Sequence, residues 1–511
     1  MQLHDLLNTI EPDAVQGLTD MSITGLACDS RQVVEGSVFF ALPGTRSDGR
    51  VYIPEALAAG AVAVVTTSFA GLPTVSGCCF IRVDNVRRVM AKVAAQYYGY
   101  PGQGIPVIGV TGTNGKTTVT YLLEAILKSA GYSPAVFGTV SYRLGDNLCY
   151  EATHTTPESL ELMKILAEFR QQGADALVVE VSSHALEQHR VDGLTFDLAV
   201  FTNLTPEHLD YHAGMEEYFA SKCRLFRDLL GQGTAVINVD DSYGMRLLET
   251  LPAAVSFGTA PSSDLYPRQV SVTRDGIHGI FTNNRQDVLV DSPMIGAFNV
   301  SNLMAAVTAA QQLGVSSARI AAGISAAPQV PGRLERVGNQ RGVLALVDYA
   351  HTGDALEQAL KTLSDIDHHR LYTLVGCGGD RDPGKRPLMA AAAVKYSDLA
   401  IFTSDNPRTE DPYAILEQIR AGALAAGGCE LDPAEAGAAG KGFVVIPDRR
   451  SAIDFAAGLA GDGDLLLVAG KGHEDYQILG TTKIHFDDRE ELQRALIQAG
   501  KAPAPRGQAD V

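Results

Sequence analysis

No stretch of the 511-residue chain is apolar over the roughly 18 residues that are needed to cross a bilayer. The longest apolar run, residues 56–65, is interrupted by Gly60. Residues 1–5 lack the basic and long apolar segments of a signal peptide. We therefore expect no membrane insertion and a cytoplasmic location.

Basic residues are scarce as well. Lys and Arg number 41 against 59 Asp and Glu, which gives a net charge of −18. A chain this acidic is a poor candidate for binding nucleic acid or an anionic membrane surface. The seven cysteines include no CxxC pair. That pattern predicts reduced, unpaired thiols, with neither a disulfide framework nor a zinc site.

What is present is an ordinary globular composition, with 46% apolar and 20% charged residues. At about 150 residues per domain the length favours three domains. Short apolar runs alternate with helical patterns, which predicts an α/β fold with parallel sheets covered on both faces. Strands are predicted at residues 36–42, 61–66, 106–110, 176–181, 198–201, 235–238, 343–347, 371–375, 399–403, 442–446 and 464–468. Helices are predicted at 52–59, 118–130 (amphipathic), 215–230 and 299–313, and short strands between 256 and 291.

The most informative stretch is GVTGTNGKTT at residues 109–118, which follows a predicted buried strand and opens a predicted helix. This is the arrangement in which backbone N–H groups bind polyphosphate. Lys116 would bridge the β- and γ-phosphates, and the Thr117 hydroxyl would hold Mg²⁺. The strict spacing GxxxxGK followed by Ser or Thr requires glycine at position 110, where this chain has Val110.

Three further residues have functional and ordinary interpretations. Glu180 ends a predicted strand beside the loop, where it could bind Mg²⁺ or act as a cap or surface charge. His208 follows another strand and could be a metal ligand or a structural histidine. Lys222 alone reads as a surface lysine. Because these groups accompany the loop, together they predict a Mg²⁺ and phosphate site. The guanine-specific motif NKxD is absent from the sequence, which disfavours a GTP-dependent switch.

These residues, together with NVSN at 299–302, GRLE at 332–335 and DYAH at 348–351, resemble the ATP-dependent Mur ligases, which build the peptide of the bacterial cell-wall precursor. The resemblance spans nearly the whole chain, and folylpolyglutamate synthetases share its motifs. It implies a small UDP-binding N-terminal α/β domain (1–103), a central P-loop ATPase-like parallel-sheet domain that binds ATP (104–331) and a Rossmann-like domain that binds the amino acid (332–511). Breaks at residues 100–104 and 328–332 agree with that division.

Two stretches resemble the branch of the family that adds diaminopimelate: DNPR at 405–408 and GKGHE at 470–474. A guanidinium at Arg408 can pair the carboxylate that distinguishes diaminopimelate from lysine. The rivals are a lysine-adding Mur ligase and a folylpolyglutamate-type ligase. A rival of another class is a non-catalytic nucleotide-dependent binding protein, which would not need Glu180, His208 and Lys222 together.

The resemblance also implies site residues, assigned by matching motifs. The nucleotide would contact Gly112, Thr113, Asn114, Gly115, Lys116, Thr117, Thr118, Asn302, Arg333 and Asp348. The UDP-muramoyl dipeptide would contact Ser30, Thr155, Thr156, Ser182, Gln188 and Arg190. Diaminopimelate would contact Arg381, Asp405, Asn406, Pro407, Arg408, Gly470 and Glu474. The family's HxxDG loop is TRSDG here, at residues 45–49, so a uridine-side contact at Thr45 lacks its histidine.

The implied reaction forms an amide from ATP, UDP-N-acetylmuramoyl-L-alanyl-D-glutamate and meso-diaminopimelate through an acyl phosphate. Mg²⁺ would be held by Thr117, Glu180, His208 and Lys222, with Lys116, Glu180, His208 and Lys222 as the catalytic set. An ammonium cannot bind Mg²⁺, and the family carries a lysine carbamylated by CO₂ at the position of Lys222. We expect a monomer that acts on small molecules.

Overall fold

The computed structural model describes residues 1–44, 48–73, 77–208, 211–437 and 440–501. Within them the chain forms two compact units. Unit 1 comprises Met1–Arg268, Phe281–Val288 and Ser301–Ala326, and unit 2 comprises Gln269–Ile280, Leu289–Val300 and the chain from Ala327 onward. No helix of the described residues combines the length and apolar character that crossing a membrane requires. The domain boundaries at 103 and 331 stay predictions.

The N-terminal part of unit 1 is a five-stranded sheet of order β1-β5-β4-β3-β2, parallel except for β1. Its strands are β1 (Ala14–Gln16), β2 (Gly25–Ala27), β3 (Ser37–Phe40), β4 (Ala63–Thr66) and β5 (Cys79–Arg82). Its helices are α1 (Leu3–Leu7), α2 (Ile53–Ala58) and α3 (Val86–Tyr97). The predicted strands at 36–42 and 61–66 and the helix at 52–59 are confirmed.

The central sheet has eight strands in the order β13-β12-β11-β6-β10-β7-β8-β9. They are β6 (Val107–Thr111), β7 (Pro134–Phe137), β8 (Ser141–Leu144), β9 (Leu148–Glu151), β10 (Ala176–Glu180), β11 (Leu198–Phe201), β12 (Thr234–Asn238) and β13 (Val255–Phe257). The strands from β13 to β7 are parallel, as predicted, whereas β8 and β9 are antiparallel additions at one edge. Because β6 lies between β10 and β11, the loops after these three strands are neighbours.

Helices α4 (Lys116–Ser129), α5 (Ser159–Gln171), α6 (Ser183–Glu187), α7 (Met215–Arg224) and α8 (Ser242–Glu249) connect these strands. A three-stranded sheet of β14 (Tyr266–Val272), β15 (Ile277–Thr282) and β16 (Asp287–Ser292) follows, then α9 (Phe298–Gln312) and α10 (Ser317–Ser325). The amphipathic prediction for α4 is wrong, because the helix is buried continuously from Thr117 to Leu127. Part of its outer face is covered by α10, whose Gly323 lies against the Ile126 backbone.

Unit 2 contains a six-stranded sheet of order β17-β18-β22-β19-β20-β21, parallel except for β17. Its strands are β17 (Glu335–Val337), β18 (Leu344–Asp348), β19 (Leu371–Cys377), β20 (Leu399–Ser404), β21 (Gly442–Val445) and β22 (Leu465–Ala469), followed by a hairpin of β23 (Tyr476–Leu479) and β24 (Thr482–His485). Its helices are α11 (Gly353–Ser364), α12 (Lys385–Tyr396), α13 (Pro412–Ala425), α14 (Arg449–Leu459) and α15 (Asp488–Lys501).

Both faces of this sheet are covered. Alternate residues of β18 enter two separate cores, Leu344 and Leu346 on one side and Ala345 and Val347 on the other. Side chains alternate between the faces of a strand, so a strand that is apolar throughout must be buried on both faces. The sequence prediction of a doubly covered, Rossmann-like sheet is confirmed here.

Candidate active site

A glycine loop joins the carboxyl end of β6 to the N-terminus of α4. Gly112 and Gly115 have φ angles of 149° and 88°, values that residues with a side chain rarely adopt. A Cβ atom at Gly112 would lie 1.9 Å from the hydroxyl oxygen of Thr202, and one at Gly115 would lie 2.3 Å from the amide oxygen of Asn302. The loop is closed so tightly that only glycine fits at either position.

Residues after β11 hold this loop in shape. The backbone N–H of Thr113 donates to the Asn203 carbonyl, and the N–H of Asn114 donates to the Asn203 side-chain oxygen, both at 2.9 Å. The Thr202 hydroxyl donates to the Asn114 carbonyl at 2.6 Å. A fixed glycine loop at the N-terminus of a 14-residue helix is a polyphosphate-binding geometry.

Two lysines converge on one carbonyl of the loop. Lys116 Nζ donates to the carbonyl oxygens of Gly112 and Thr113, at 2.9 and 2.8 Å, and Lys222 Nζ donates to Gly112 at 2.8 Å. Burial lowers the pKa of Lys222 well below its usual range. The Lys116 charge lowers that pKa further, and Glu207 opposes the fall. The structure therefore favours an uncharged amine at Lys222, which is only 1% exposed.

Glu180 lies on the other side of the loop. It ends β10 opposite Val110 of β6, and only 1% of the residue is exposed. Its carboxylate accepts hydrogen bonds from the Thr117 hydroxyl at 3.0 Å, the Thr139 hydroxyl at 3.0 Å and the Thr139 N–H at 3.1 Å. Because Thr117 donates its only proton to Glu180, the lone pairs of its oxygen are left to face a cation.

Sequence reasoning missed the Gly138–Thr139 segment that follows β7. A Cβ atom at Gly138 would lie 2.2 Å from Oε1 and 2.9 Å from Cδ of Glu180, so glycine makes the room that the carboxylate occupies. The only sequence signal was a glycine directly after an apolar run. Its meaning depends on the pairing of β7 with β10.

We expect Gly138→Ala to displace the Glu180 carboxylate without unfolding the protein, because the collision is with a side-chain end. Loss of such a supporting contact typically costs about 10- to 100-fold in metal affinity or activity. Steady-state kinetics at varied Mg²⁺ should show a lower kcat and a higher Mg²⁺ requirement. Gly338→Ala is the matched control, since a Cβ atom there meets nothing within 4 Å. Wild-type Mg²⁺ dependence in Gly138→Ala would contradict this role.

His208 comes after β11 in the chain and contacts Tyr218, the same tyrosine that Lys222 contacts. Its φ is 57°, a strained conformation that typically costs about 1–3 kcal/mol and clusters at functional sites. Its ring centroid lies 4.9 Å from that of His184 and 6.1 Å from that of Tyr218. Tyr218 also places its hydroxyl 3.2 Å from the Thr113 hydroxyl and its ring centroid 4.5 Å from Lys222 Nζ. Tyr218, which sequence reasoning missed, thus connects His208 to the phosphate loop.

The side chains at this site form a donor set whose chemistry decides whether it fits Mg²⁺. Mg²⁺ prefers oxygen ligands, and proteins usually supply one or two carboxylates while substrate phosphates supply the rest. Within the described residues no three His, Cys, Asp or Glu side chains are grouped to hold a metal ion. The Thr117 hydroxyl and the Glu180 carboxylate fit an ion shared with a polyphosphate. His208 and Lys222 fit a second ion only if Lys222 carries a carboxylate.

Five of the six residues predicted for the muramoyl dipeptide are brought together beside Glu180. Thr155 Oγ1 lies 3.1 Å from Thr139 Oγ1. The Thr156 hydroxyl donates to the Glu180 carbonyl at 2.7 Å and accepts from the Ser182 N–H at 3.1 Å. The Arg190 guanidinium donates to the Thr156 carbonyl and to the Gln188 side-chain oxygen, and it forms an ion pair with Glu158.

The sixth residue, Ser30, belongs to the N-terminal part of unit 1. Its buried hydroxyl donates to Glu55 at 2.9 Å, and Asp29 before it forms an ion pair with Arg31 at 2.6 Å. The uridine-side contact expected at Thr45 lies outside the described residues, as do residues 502–511.

The other predicted nucleotide residues belong to unit 2. Asp348 ends β18 and accepts the backbone N–H groups of Leu334 and Ala350, at 2.7 and 2.8 Å. Burial raises its pKa, and the charge of Arg333 opposes the rise. The Arg333 guanidinium lies 5.0 Å from the centroid of the Tyr349 ring. These contacts present a flat cation and an aromatic ring side by side after β18.

The residues predicted for diaminopimelate come from loops at the carboxyl ends of neighbouring strands, β20 and β22, which flank β19. Asn406 donates its side-chain amide to the Glu474 carboxylate at 2.9 Å, and its own amide oxygen accepts the Ile478 N–H at 2.9 Å. Asp405 is 8% exposed and Asn406 2%. We name the Asp405, Asn406 and Glu474 side chains the ammonium cradle, because two of the three are carboxylates and the third presents an amide.

Arg408 lies beside this cradle with a φ of 52°. Its backbone N–H donates to Ile478 O at 3.1 Å, and its guanidinium donates to the Gly379 carbonyl at 2.7 Å. A Cβ atom at Gly379 would lie 2.0 Å from the Pro407 carbonyl oxygen. The loop after β19 therefore interlocks with the DNPR loop, and Arg381 is exposed at its end. Sequence reasoning missed both Gly379 and the contribution of β23.

The folds and sites of the two units define an ATP-dependent ligase of the Mur type. Three family models match in order: "Mur ligase family, catalytic domain" over residues 22–98, "Mur ligase middle domain" over 110–310 and "Mur ligase, glutamate ligase domain" over 332–472. The chain belongs to the Mur ligase family.

Two relatives and one solved structure that carry the same name match nearly the whole chain. UDP-N-acetylmuramoyl-L-alanyl-D-glutamate–2,6-diaminopimelate ligase of Geobacter sulfurreducens is 51% identical over 96% of this chain and 98% of its own. The ligase of that name from Gloeobacter violaceus is 45% identical over 97% of this chain and 98% of its own. A solved structure with this name is similar at a TM-score of 0.71, with 34% identity over 98% of this chain and 100% of the other.

Proposed function

We propose that this protein joins meso-diaminopimelate to the D-glutamyl residue of UDP-N-acetylmuramoyl-L-alanyl-D-glutamate, with ATP as the energy source. The observation that carries the substrate assignment is Arg408 beside the ammonium cradle, a guanidinium next to one buried carboxylate, Asp405, and one half-buried carboxylate, Glu474. That arrangement matches one end of diaminopimelate, which carries both a carboxylate and an ammonium. We place the reaction in the cytoplasm, where ATP is available, and expect a monomer because one chain supplies every proposed site residue.

In the first step the γ-phosphoryl group of ATP passes to the D-glutamyl carboxylate. A carboxylate oxygen bonds to phosphorus, the bond to the β–γ bridging oxygen breaks, and ADP leaves. Lys116 at the phosphate loop supplies positive charge where negative charge collects. Mg²⁺, when bound, neutralises part of that charge. Thr117 and Glu180 would hold one ion, and His208 and modified Lys222 a second.

The modification of Lys222 follows from its environment. An uncharged amine attacks CO₂, forms an N–C bond and releases one proton to solvent, which leaves a carbamate. The lowered pKa of the buried Lys222 amine favours this reaction because it increases the share of the reactive uncharged form. The product is a carboxylate on a long stem beside the phosphate loop. A group that repels a cation thereby becomes a ligand for one.

In the second step the diaminopimelate amine attacks the acyl phosphate carbon. An N–C bond forms to give a tetrahedral intermediate, the C–O bond to phosphate breaks, the nitrogen releases a proton to solvent, and an amide bond remains. The cradle and Arg408 hold the far end of diaminopimelate, so that the free amino group is presented to the acyl phosphate. Thr155, Thr156, Ser182, Gln188 and Arg190 hold the muramoyl peptide on the Glu180 side.

We expect phosphate release from ATP to require both acceptor substrates. A reactive acyl phosphate must be kept from water, and ligases of this type assemble the site only around their substrates. A continuous phosphate assay with each substrate omitted in turn measures this. Omission of either acceptor should reduce the rate to near background. Fast phosphate release with ATP alone would identify an ATPase and would contradict the proposed reaction.

A further inference from the structure

Lys471 is a fully buried cation that the proposed function leaves without a role. Its relative exposure is 0%. Its Nζ lies 3.5 Å from Asp405 Oδ1, 3.4 Å from Asn406 Oδ1 and 3.3 Å from Glu474 Oε2. All three partners belong to the ammonium cradle. A buried charge is costly unless it is paired, so this contact set accounts for the presence of the lysine.

The charges in the hydrogen-bonded group can be counted. Asp405 and Glu474 contribute two negative charges, and the Lys471 ammonium contributes one positive charge. One net negative charge remains, which is the charge that complements a single ammonium group. Without Lys471 two carboxylates would face each other in a buried site, and such pairs hold a proton between them.

Charged and titratable side chains from neighbouring elements surround the cradle. Lys385 and Cys377 face Asp405, and the buried Arg449 faces both carboxylates. Arg449 is itself paired with Asp488 at 2.6 Å, so its charge is already balanced. The charges of the same two carboxylates also act on Tyr349 and Tyr476, and raise the pKa of both phenols. Lys471 is the cation in hydrogen-bond contact with all three cradle residues.

We propose that Lys471 is a positioning residue of the diaminopimelate site, which fixes the ammonium cradle and sets its charge so that it accepts one substrate ammonium. This inference rests on the proposed function, because the cradle is the proposed diaminopimelate site. Lys471 does not touch the substrate in this account. It acts through the two carboxylates and through Asn406.

The electrostatics of Glu474 support this role. Burial raises the pKa of Glu474, the Lys471 ammonium opposes the rise, and Asp405 adds to it. Removal of the ammonium would therefore raise the pKa of Glu474 further. As the pH falls through that raised value, Glu474 takes up a proton and the cradle loses its charge for the substrate ammonium. Raising the pH restores the charge.

The test compares Lys471→Met with the wild-type enzyme by measuring KM for diaminopimelate from neutral to alkaline pH. The readout is the ratio of the variant KM to the wild-type KM, so that titration of diaminopimelate itself cancels. We expect a ratio of about 30-fold or more at neutral pH, the low end for a disrupted buried charge pair. The ratio should fall as the pH rises, while KM for ATP stays within about twofold of wild type.

Lys395→Met is the matched control, since this exposed lysine pairs with Glu357 at the surface, and its ratio should be near one at every pH. If Lys471→Met does not fold, Lys471→Gln gives the same test, because the amide keeps a hydrogen-bond donor but no charge. A ratio near one, or a raised ratio that does not change with pH, would overturn the proposal. Failure of the wild-type enzyme to use diaminopimelate would instead overturn the proposed function.

Discussion

Lys222→Ala should lose about 10²- to 10³-fold or more in kcat, the loss that follows removal of one charge-stabilising group from an active site. The variant should still fold. Lys222 lies on α7, and its Nζ contacts a loop carbonyl and a tyrosine ring. Initial-rate assays with all three substrates, together with thermal unfolding, measure both expectations.

Two further variants separate a carbamate from a plain cation. Lys222→Arg keeps a positive charge but cannot be carbamylated, so it should be as inactive as Lys222→Ala. Short carboxylic acids should restore part of the Lys222→Ala rate by supplying the missing carboxylate. Lys164→Ala, on the exposed side of α5, is the control and should keep the wild-type rate. An active Lys222→Arg enzyme would show that carbamylation is irrelevant here.

Arg408→Ala should raise KM for diaminopimelate by about 30-fold or more. Loss of one partner of a charge-assisted pair in a closed site typically costs about 2–5 kcal/mol, and each 1.4 kcal/mol is about tenfold. KM for ATP should change little, because Arg408 is not among the residues proposed to contact the nucleotide and its guanidinium is bonded to the Gly379 carbonyl. Lysine use should improve slightly, because an unpaired guanidinium no longer opposes it. It should not become efficient, because Arg381, Asn406 and Glu474 remain arranged for diaminopimelate.

Steady-state kinetics with diaminopimelate and lysine decide between specificity and simple damage. Arg408→Lys keeps the charge but loses the fork and should fall between alanine and wild type. Arg420→Ala is the control, because it removes a half-exposed arginine that pairs with Glu417 and Glu430 on the surface of unit 2. An unchanged KM for diaminopimelate in Arg408→Ala would show that Arg408 does not bind the distal carboxylate.

The parallel sheets could be predicted because most of their strands are continuous apolar runs. The strands at 176–181 and 198–201 are found on either side of β6, and this fixes Glu180 and the residues after β11 next to the phosphate loop. That adjacency follows from a rule: the carboxyl ends of parallel strands meet at one edge. The phosphate-binding role of Gly112 and Gly115 could also be predicted, because a glycine loop between a strand and a helix is typical of phosphate binding.

Antiparallel edge strands and polar strands were harder to predict from the sequence. The exposed β24 and the half-buried β23 carry no apolar alternation, so the hairpin that anchors Arg408 was not predicted. The edge strands β8 and β9 are four residues each and include polar residues, so they were not predicted, and they add an antiparallel edge to the predicted parallel sheet. Helix α4 was wrongly predicted to be amphipathic because its covering helix, α10, comes almost two hundred residues later in the chain.

The missed site residues share a physical cause. Thr139, Tyr218 and Lys471 act on partners supplied by other strands and helices. Each looks ordinary in sequence: a threonine after a glycine, a helix tyrosine and a lysine between two glycines. Their roles appear only when the pairing of strands and the direction of side chains are known.

The central claim is that the chain makes one particular amide bond. The most direct measurement is the mass of the product formed from ATP, UDP-N-acetylmuramoyl-L-alanyl-D-glutamate and an equal mixture of meso-diaminopimelate, lysine and glutamate. We predict a UDP-muramoyl tripeptide that contains diaminopimelate, formed in step with phosphate, with little lysine or glutamate adduct. A product that contains mainly lysine or glutamate, or phosphate release without any adduct, would contradict the account.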